Sequence, residues 1–186
     1  MGAQTDTRSR IQDVAIKLFT EQGYEATSLR EIAEALGVTK AALYYHFRTK
    51  EDIVASLIED RINTLDELIA WAHRHPRTAE NRRELIRRYC AAMTRGRNHE
   101  IMQFMDRNKT ALQDHAKVGL MRERMAELMR ALCEPDDPLP VRLRRSMALF
   151  AMHAAWFVLR DEPATDEERA AAGLQVALEL AGDQRD

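Results

Sequence analysis

The sequence predicts an all-α protein of about nine helices, and three observations carry the prediction. Apolar residues recur at spacings of three and four along nearly the whole chain, and no segment alternates convincingly with period two. Breaks are few: the 186 residues include seven glycines and five prolines. The prolines fall in three places, at Pro76, at Pro135, Pro138 and Pro140, and at Pro163. A proline removes a backbone donor and clashes with the preceding helical turn, so each place ends a helix. Finally, 45% apolar and 31% charged residues with only 6% aromatics suit amphipathic helices around a core of ordinary size.

Helix 1 is expected from about Arg8 to Gln22, with Ile11, Val14, Ala15, Leu18 and Phe19 on one face and Gly23 as its stop. Ser28 and Glu31 have the spacing of a capping box and open helix 2, whose stripe is Leu29, Ile32, Ala33 and Leu36 before Gly37. Thr39 stands as the N-cap of a short helix 3, Lys40 to His46, with Leu43 and Phe47 facing inward. Lys50 and Glu51 open a long helix 4 to about Ala72, striped by Ile53, Leu57, Ile58, Leu65, Leu68 and Ile69. Helix 5 carries Leu85, Ile86, Tyr89 and Met93 on one side. A short helix follows near Ile101–Arg107, then a longer one over about Leu112–Leu132. The last two, about Val141–Leu159 and Asp166–Ala181, differ in kind. From Met147 to Leu159 nearly every position is apolar, so this helix needs cover on more than one side, and a second copy of the chain could supply it.

Several classes are excluded. Cys90 and Cys133 are too few for a disulfide framework or a four-ligand zinc site, and they read as small buried hydrophobes in a reducing cytosol. Met1–Arg10 lacks the apolar core of a signal peptide, and Asp6 breaks the myristoylation pattern. Met147–Leu159 is shorter than the roughly 20 residues that span a bilayer. The expectation is a soluble, cytoplasmic protein with no membrane partner. No Ser/His/Asp constellation, Gly-rich phosphate loop, Cys/His metal set or HExxH pattern points to an enzyme, and no cofactor or metal is expected. His73 and His75, spaced i, i+2 in a break, read as solvated histidines rather than ligands.

Helices 2 and 3, joined by Gly37–Val38–Thr39, have the form of a helix-turn-helix, with helix 1 packed behind them. In such a unit the N-terminal residues of the second helix meet base edges in the major groove. Ala41 and Ala42 permit close approach there, while Lys40, Tyr44, Tyr45 and His46 offer donors and aromatic surface. A net charge of −2 gives no general support for a nucleic-acid partner. Residues 1–50 are barely basic, with seven basic and six acidic side chains, but Arg30, Lys40, Arg48 and Lys50 cluster around the motif.

The wording of Arg8–Val54 closely resembles the DNA-binding domain of TetR-family transcriptional regulators. The matching elements are Ile11, Ala15, Leu18–Phe19, Gly23–Tyr24, Thr27–Ser28, Ile32–Ala33, Gly37–Val38–Thr39, Leu43–Tyr44–Tyr45–His46–Phe47 and Lys50–Glu51. Many members have Gly-Thr where this chain has Ala41–Ala42, which keeps small size but removes a hydroxyl. The resemblance implies an N-terminal DNA-binding domain over residues 1–50 and a helical effector-binding and dimerisation domain over 51–186. It places Ser28, Tyr45, His46 and Lys50 along the phosphate backbone, Tyr44 against DNA through its hydroxyl, Thr27 in the DNA-binding set, Thr39, Lys40 and Ala41 at the bases, and Arg30 at a guanine, although Arg30 suits a solvated surface charge equally well. Tyr44 also packs the recognition helix.

The resemblance further implies a homodimer through the last two helices on a pseudo-palindromic operator, and an inducer pocket among the middle helices. Apart from Met1, every methionine lies between Met93 and Met152, and thioethers adapt to irregular apolar ligands. The candidate lining is Trp71, Tyr89, Met93, Met102, Phe104, Met105, Met121, Met125, Phe150 and His153, for a small, mostly apolar effector. The methionines fit an ordinary core as well. A protein partner in place of the small molecule is the main alternative, and a helical enzyme a remote one. Repression is the family's usual sense.

Overall fold

The structure is a computed structural model that describes residues 2–94, 98–108, 112 and 116–182. These residues form nine helices and no strand: α1 Gly2–Glu21, α2 Leu29–Leu36, α3 Lys40–His46, α4 Lys50–His73, α5 Ala79–Thr94, α6 Asn98–Arg107, α7 Ala116–Ala131, α8 Leu139–Val158 and α9 Asp166–Ala181. The chain is all-α, as its pattern predicts. Helix α1 begins six residues before the expected Arg8, because nothing between Gly2 and Arg8 interrupts helix propagation. Residues 113–115, inside the expected Leu112–Leu132 helix, lie outside the described set. No helix among the described residues is long and apolar enough to cross a membrane.

The chain divides into two compact units, residues 1–61 with 96–121, and residues 62–95 with 122–186. In the first, the apolar stripes of α1 to α4 supply a core that includes Ile11, Ala15, Ile16, Phe19, Ile32, Leu43, Phe47, Ile53 and Leu57, all buried. One buried polar node ties α1 to α4: the Gln12 amide donates to Ser56 Oγ at 2.8 Å and to Asp60 Oδ2 at 3.0 Å, and the Ser56 hydroxyl donates to the Ile53 carbonyl. Buried donors and acceptors so matched fix register as well as adding stability. Helix α6 joins the same unit. Phe104 packs with Phe19 (centroids 5.5 Å apart) and Tyr24 (5.8 Å), and Arg107 donates to the Thr20 carbonyl in the last turn of α1 at 3.1 Å.

In the second unit α5, α8 and α9 pack together. At Gly173 an added Cβ would lie 3.1 Å from Ala155 Cβ and 3.3 Å from Met152 Cα, so α9 approaches α8 as closely as a glycine permits. Thr165 and Glu168 close a capping box at the start of α9. Arg169 then donates to the Leu159 carbonyl at 3.0 Å and to the Glu162 carbonyl at 2.9 Å, capping the C-terminal end of α8. The buried Arg145 pairs with Asp137. Cys90 and Cys133 are buried thiols, and burial pushes Cys90 up to about 12 and Cys133 upward. One side of α8, with Ala148, Leu149, Met152 and Ala155, is buried. The other presents Leu139, Leu143, Met147, Phe150, Phe157 and Val158 to solvent, with Phe157 77% exposed.

Candidate nucleic-acid interface

The geometry of the α2–α3 unit follows from its caps. Ser28 is the N-cap of α2: its Oγ accepts from the Glu31 amide at 3.2 Å, and the Glu31 carboxylate accepts from the Ser28 amide at 2.7 Å. At the other end Gly37 takes φ 71°, a left-handed conformation that costs other residues steric energy. Its amide donates back to Ala33 and Glu34, and Val38 donates to Ala33 at 3.0 Å. Two residues later Thr39 Oγ1 accepts from the Ala42 amide at 3.2 Å and starts α3. Three residues thus turn the chain between helices. Ile32, Ala33, Leu43 and Phe47 are buried, which leaves α3 only one side to present.

That side carries Lys40, Ala41, Ala42, Tyr44 and Tyr45, all exposed, the last at 73%. Lys40 lies over the Tyr44 ring, 5.3 Å from its centroid, and Tyr45 meets His46 edge-on at 5.3 Å. On α2, Arg30 donates to Glu34 at 2.7 Å, and both side chains remain more than half exposed. An exposed i, i+4 pair holds its partners weakly, so a stronger acceptor can take the guanidinium from it. Two members of the expected contact set have their hydroxyl protons committed within the chain. Thr27 is 2% exposed and its hydroxyl donates to the Gly23 carbonyl at 2.8 Å. Ser28 spends its hydroxyl proton on Glu31, at 2.7 Å. That hydrogen bond, then the one from the Ser28 amide, holds Glu31 below the usual carboxylate range.

Lys50 is also engaged. Its ammonium donates to the Tyr24 carbonyl at 2.6 Å and the Glu25 carbonyl at 3.4 Å, and sits 4.5 Å from the centroid of the Tyr24 ring. The Tyr24 hydroxyl in turn donates to Glu51 at 3.0 Å, while burial and then Glu51 push the phenol upward, so it stays a neutral donor. Thr49 and Asp52 cap α4: Asp52 Oδ2 accepts from the Arg48 and Thr49 amides, and Thr49 Oγ1 accepts from the Asp52 amide.

Residues 11–57 match the family model for bacterial regulatory proteins of the tetR family. The chain is 46% identical over 63 residues to the HTH-type transcriptional regulator AcrR of Shigella flexneri, covering 34% of this chain and 29% of that protein. The chain therefore spans under a third of the length of that curated relative. Along nearly the whole chain it resembles the crystal structure of Mycobacterium smegmatis AmtR, at 26% identity and TM-score 0.67, covering 96% of this chain and 87% of that one. Residues 11–57 are thus a tetR-family segment. Family members regulate transcription and are not enzymes. The TetR fold extends at 22% identity to AibR, solved in complex with isovaleryl coenzyme A and operator DNA, with TM-score 0.60 over 90% of this chain and 95% of that one.

The ten expected effector residues do not share one unit. Trp71, Tyr89, Met93, Met125, Phe150 and His153 belong to the second, and Met102, Phe104, Met105 and Met121 to the first. Phe104 is buried among Phe19 and Tyr24. Phe150 lies on the solvent-facing side of α8. Tyr89 is buried and bonds His153 Nε2 at 2.8 Å. A shallow crevice of about 10 Å³ in the second unit is lined by Trp71, His75, Asn81, Arg82 and Leu85 among others, and Trp71 alone of the ten candidates reaches it. Trp71 stacks on His75 at 4.2 Å beneath the Arg88 guanidinium. His75 Nδ1 is held at the Trp71 carbonyl, and His73 lies 3.9 Å from Glu127. Sequence pattern gives no role to Gln12 or Arg107 and marks Tyr24 and Glu51 only through the resemblance; the partners of all four are distant in sequence. A lone polar residue on an apolar face, Gln12, was the available signal.

Proposed function

We propose that the chain is a ligand-responsive transcriptional repressor that binds a pseudo-palindromic operator as a homodimer in the cytoplasm and is released by a small, mostly apolar effector. The observation that carries the DNA-binding half is the solvent-facing side of α3, where Lys40 and two alanines occupy the first turn of a helix whose other side is core. On this reading residues 1–50 bind DNA. Thr39, Lys40 and Ala41 read bases, and Arg30 leaves Glu34 for a guanine. Ser28, Tyr45, His46 and Lys50 run along the phosphates, with Tyr44 touching DNA through its hydroxyl and Thr27 contributing through its backbone. Phosphate contacts position the domain and base contacts specify the site.

Residues 51–186 take the effector and the second copy. The apolar stripe of α8 supports the dimer, since a two-fold contact buries the same face on both chains. The complex of AibR with isovaleryl coenzyme A and operator DNA supports a small-molecule effector by analogy. A 100-fold difference in effector affinity between the DNA-competent and released states amounts to about 2.7 kcal/mol per site, and operator DNA weakens effector binding by the same factor. A protein partner is the second reading. It is favoured by the size of the Trp71 crevice, about 10 Å³, room for no more than a water, against the roughly 300–1,000 Å³ of ligand pockets.

The test is selection of duplexes from a random pool by the full-length protein, followed by Lys40→Ala. Half-sites one turn apart, about 34–36 Å, are expected. Lys40→Ala is expected to change the selected bases while random-sequence duplexes still bind within about two-fold, because a base contact carries specificity and a phosphate contact does not. Equal losses on selected and random duplexes would remove Lys40 from the bases.

A further inference from the structure

Lys50 and Glu51 open α4, and both side chains converge on Tyr24 in the loop between α1 and α2. The Lys50 ammonium donates to the Tyr24 carbonyl at 2.6 Å and to the Glu25 carbonyl at 3.4 Å, and lies 4.5 Å from the centre of the Tyr24 ring. The Tyr24 hydroxyl donates to Glu51 Oε1 at 3.0 Å. An ammonium has three donors, so the two carbonyls leave one proton for another acceptor. Two carboxylates stand near enough to feel that charge. Glu31 is held below the usual carboxylate range first by the Ser28 hydroxyl, then by the Ser28 amide, with Lys50 adding to the effect. Glu51 is held low first by its own amide, then by the Tyr24 hydroxyl and Thr49, and again Lys50 adds to it. Neutral donors thus engage both potential competitors for the ammonium.

We propose that Tyr24 is a positioning residue for DNA binding that acts through Lys50: its carbonyl and ring aim the ammonium, and its hydroxyl occupies the Glu51 carboxylate, which leaves the third ammonium proton for a phosphate. The inference deepens the DNA-binding reading and rests on it. The ring and the hydroxyl have separable duties. The ring packs edge-on against Phe19 at 5.1 Å and against Phe104 at 5.8 Å, which anchors the loop in the core. The hydroxyl holds a competitor. Without it, Glu51 is a charged acceptor on the residue next to Lys50 and takes the proton that a phosphate would use. A phosphate contact releases counterions, so losing one lowers the slope of log K against log salt by about 0.9. A hydroxyl that only stabilised the fold would leave that slope unchanged.

The test is a double-mutant cycle on the full chain, with Tyr24→Phe, Glu51→Gln and the two together, binding the duplex selected from the random pool. Tyr24→Phe keeps the ring, its packing and the backbone carbonyl, so the fold is retained. It is expected to weaken binding roughly ten-fold per half-site, the weight of one hydrogen bond to a charged group, and to lower the slope in KCl by about 0.9 per half-site. In the double variant no carboxylate competes for the ammonium, and affinity and slope are expected to return to those of Glu51→Gln alone. A Tyr24→Phe loss at unchanged slope, a loss that Glu51→Gln does not relieve, or no loss at all overturns the proposal. If the wild-type protein selects no duplex, the DNA-binding reading fails and takes the proposal with it. A selected duplex that Tyr24→Phe binds as the wild type does removes only the role of Tyr24.

Discussion

On the open side of α3 stand Lys40, two alanines and two tyrosines; on the open side of α8 stand Leu139, Leu143, Met147, Phe150, Phe157 and Val158. Around α3 the polar groups are assigned locally, by the Ser28–Glu31 box, the Gly37 turn and the Thr39 cap, so that unit is finished as a single chain. Along α8 six large apolar side chains remain in water, each worth about 1.5–3 kcal/mol when fully buried. Scattered apolar residues on a surface need no explanation, but a continuous stripe at helical spacing does. The first surface is suited to a hydrated, charged partner that comes and goes. The second is suited to a partner that stays.

The largest effect should come from charging the stripe. Leu143→Glu together with Phe157→Glu leaves the core side of α8 untouched, since both positions face solvent in the single chain. Helix content should be retained while the protein sediments as a monomer at micromolar concentration. Binding to a duplex carrying both half-sites should then fall by about 100- to 10,000-fold, the loss expected when two linked contacts become one. A variant that remains a dimer would assign the stripe to something other than a second copy.

The contrast between the two surfaces was partly legible in the sequence. Helix positions, the Ser28 box, the Thr39 cap and the apolar excess of Met147–Leu159 all follow from local spacing and residue chemistry, and α3 has the expected bounds. What spacing does not encode is which distant side chains meet. Phe104 reads as pocket lining because it lies among methionines, yet it packs on Phe19 and Tyr24. Phe150 reads the same way and lies on the open stripe, because within an all-round apolar helix periodicity cannot distinguish the two sides. Spacing likewise does not show that Lys50 reaches the Tyr24 and Glu25 carbonyls of the α1–α2 loop.

A smaller effect separates the surfaces by the same local chemistry. Ser28 and Thr165 close equivalent capping boxes, one in front of the recognition unit and one at the start of α9. Replacing either by alanine should cost about 1 kcal/mol of stability, read as a shift in denaturant midpoint. Only Ser28→Ala should also weaken binding to a duplex with a single half-site, because only α2 lies beside the expected phosphates. Equal effects of both substitutions on half-site binding would mean that DNA affinity follows global stability rather than the local cap.

The smallest effect is on acid stability, and both boxes share it. Glu31 is held low first by the Ser28 hydroxyl, and Glu168 first by the Thr165 amide. Each folded pKa therefore lies below that of the unfolded chain, about 4.3 for glutamate. The native state binds fewer protons there, so the stabilisation is fully present above the unfolded value and is lost as pH falls through the folded one. Glu31→Gln and Glu168→Gln keep the shape of each box without the charge. The difference in Tm between wild type and either variant should be constant at pH 6–7 and shrink as pH falls below about 4.3. A difference that persists unchanged at pH 3 would show that the boxes hold by hydrogen-bond geometry alone. If only the Glu31 difference shrank, the two caps would no longer be equivalent, and the charge around α2, with Lys50 and Arg30 near Glu31, would be what distinguishes the recognition unit from α9.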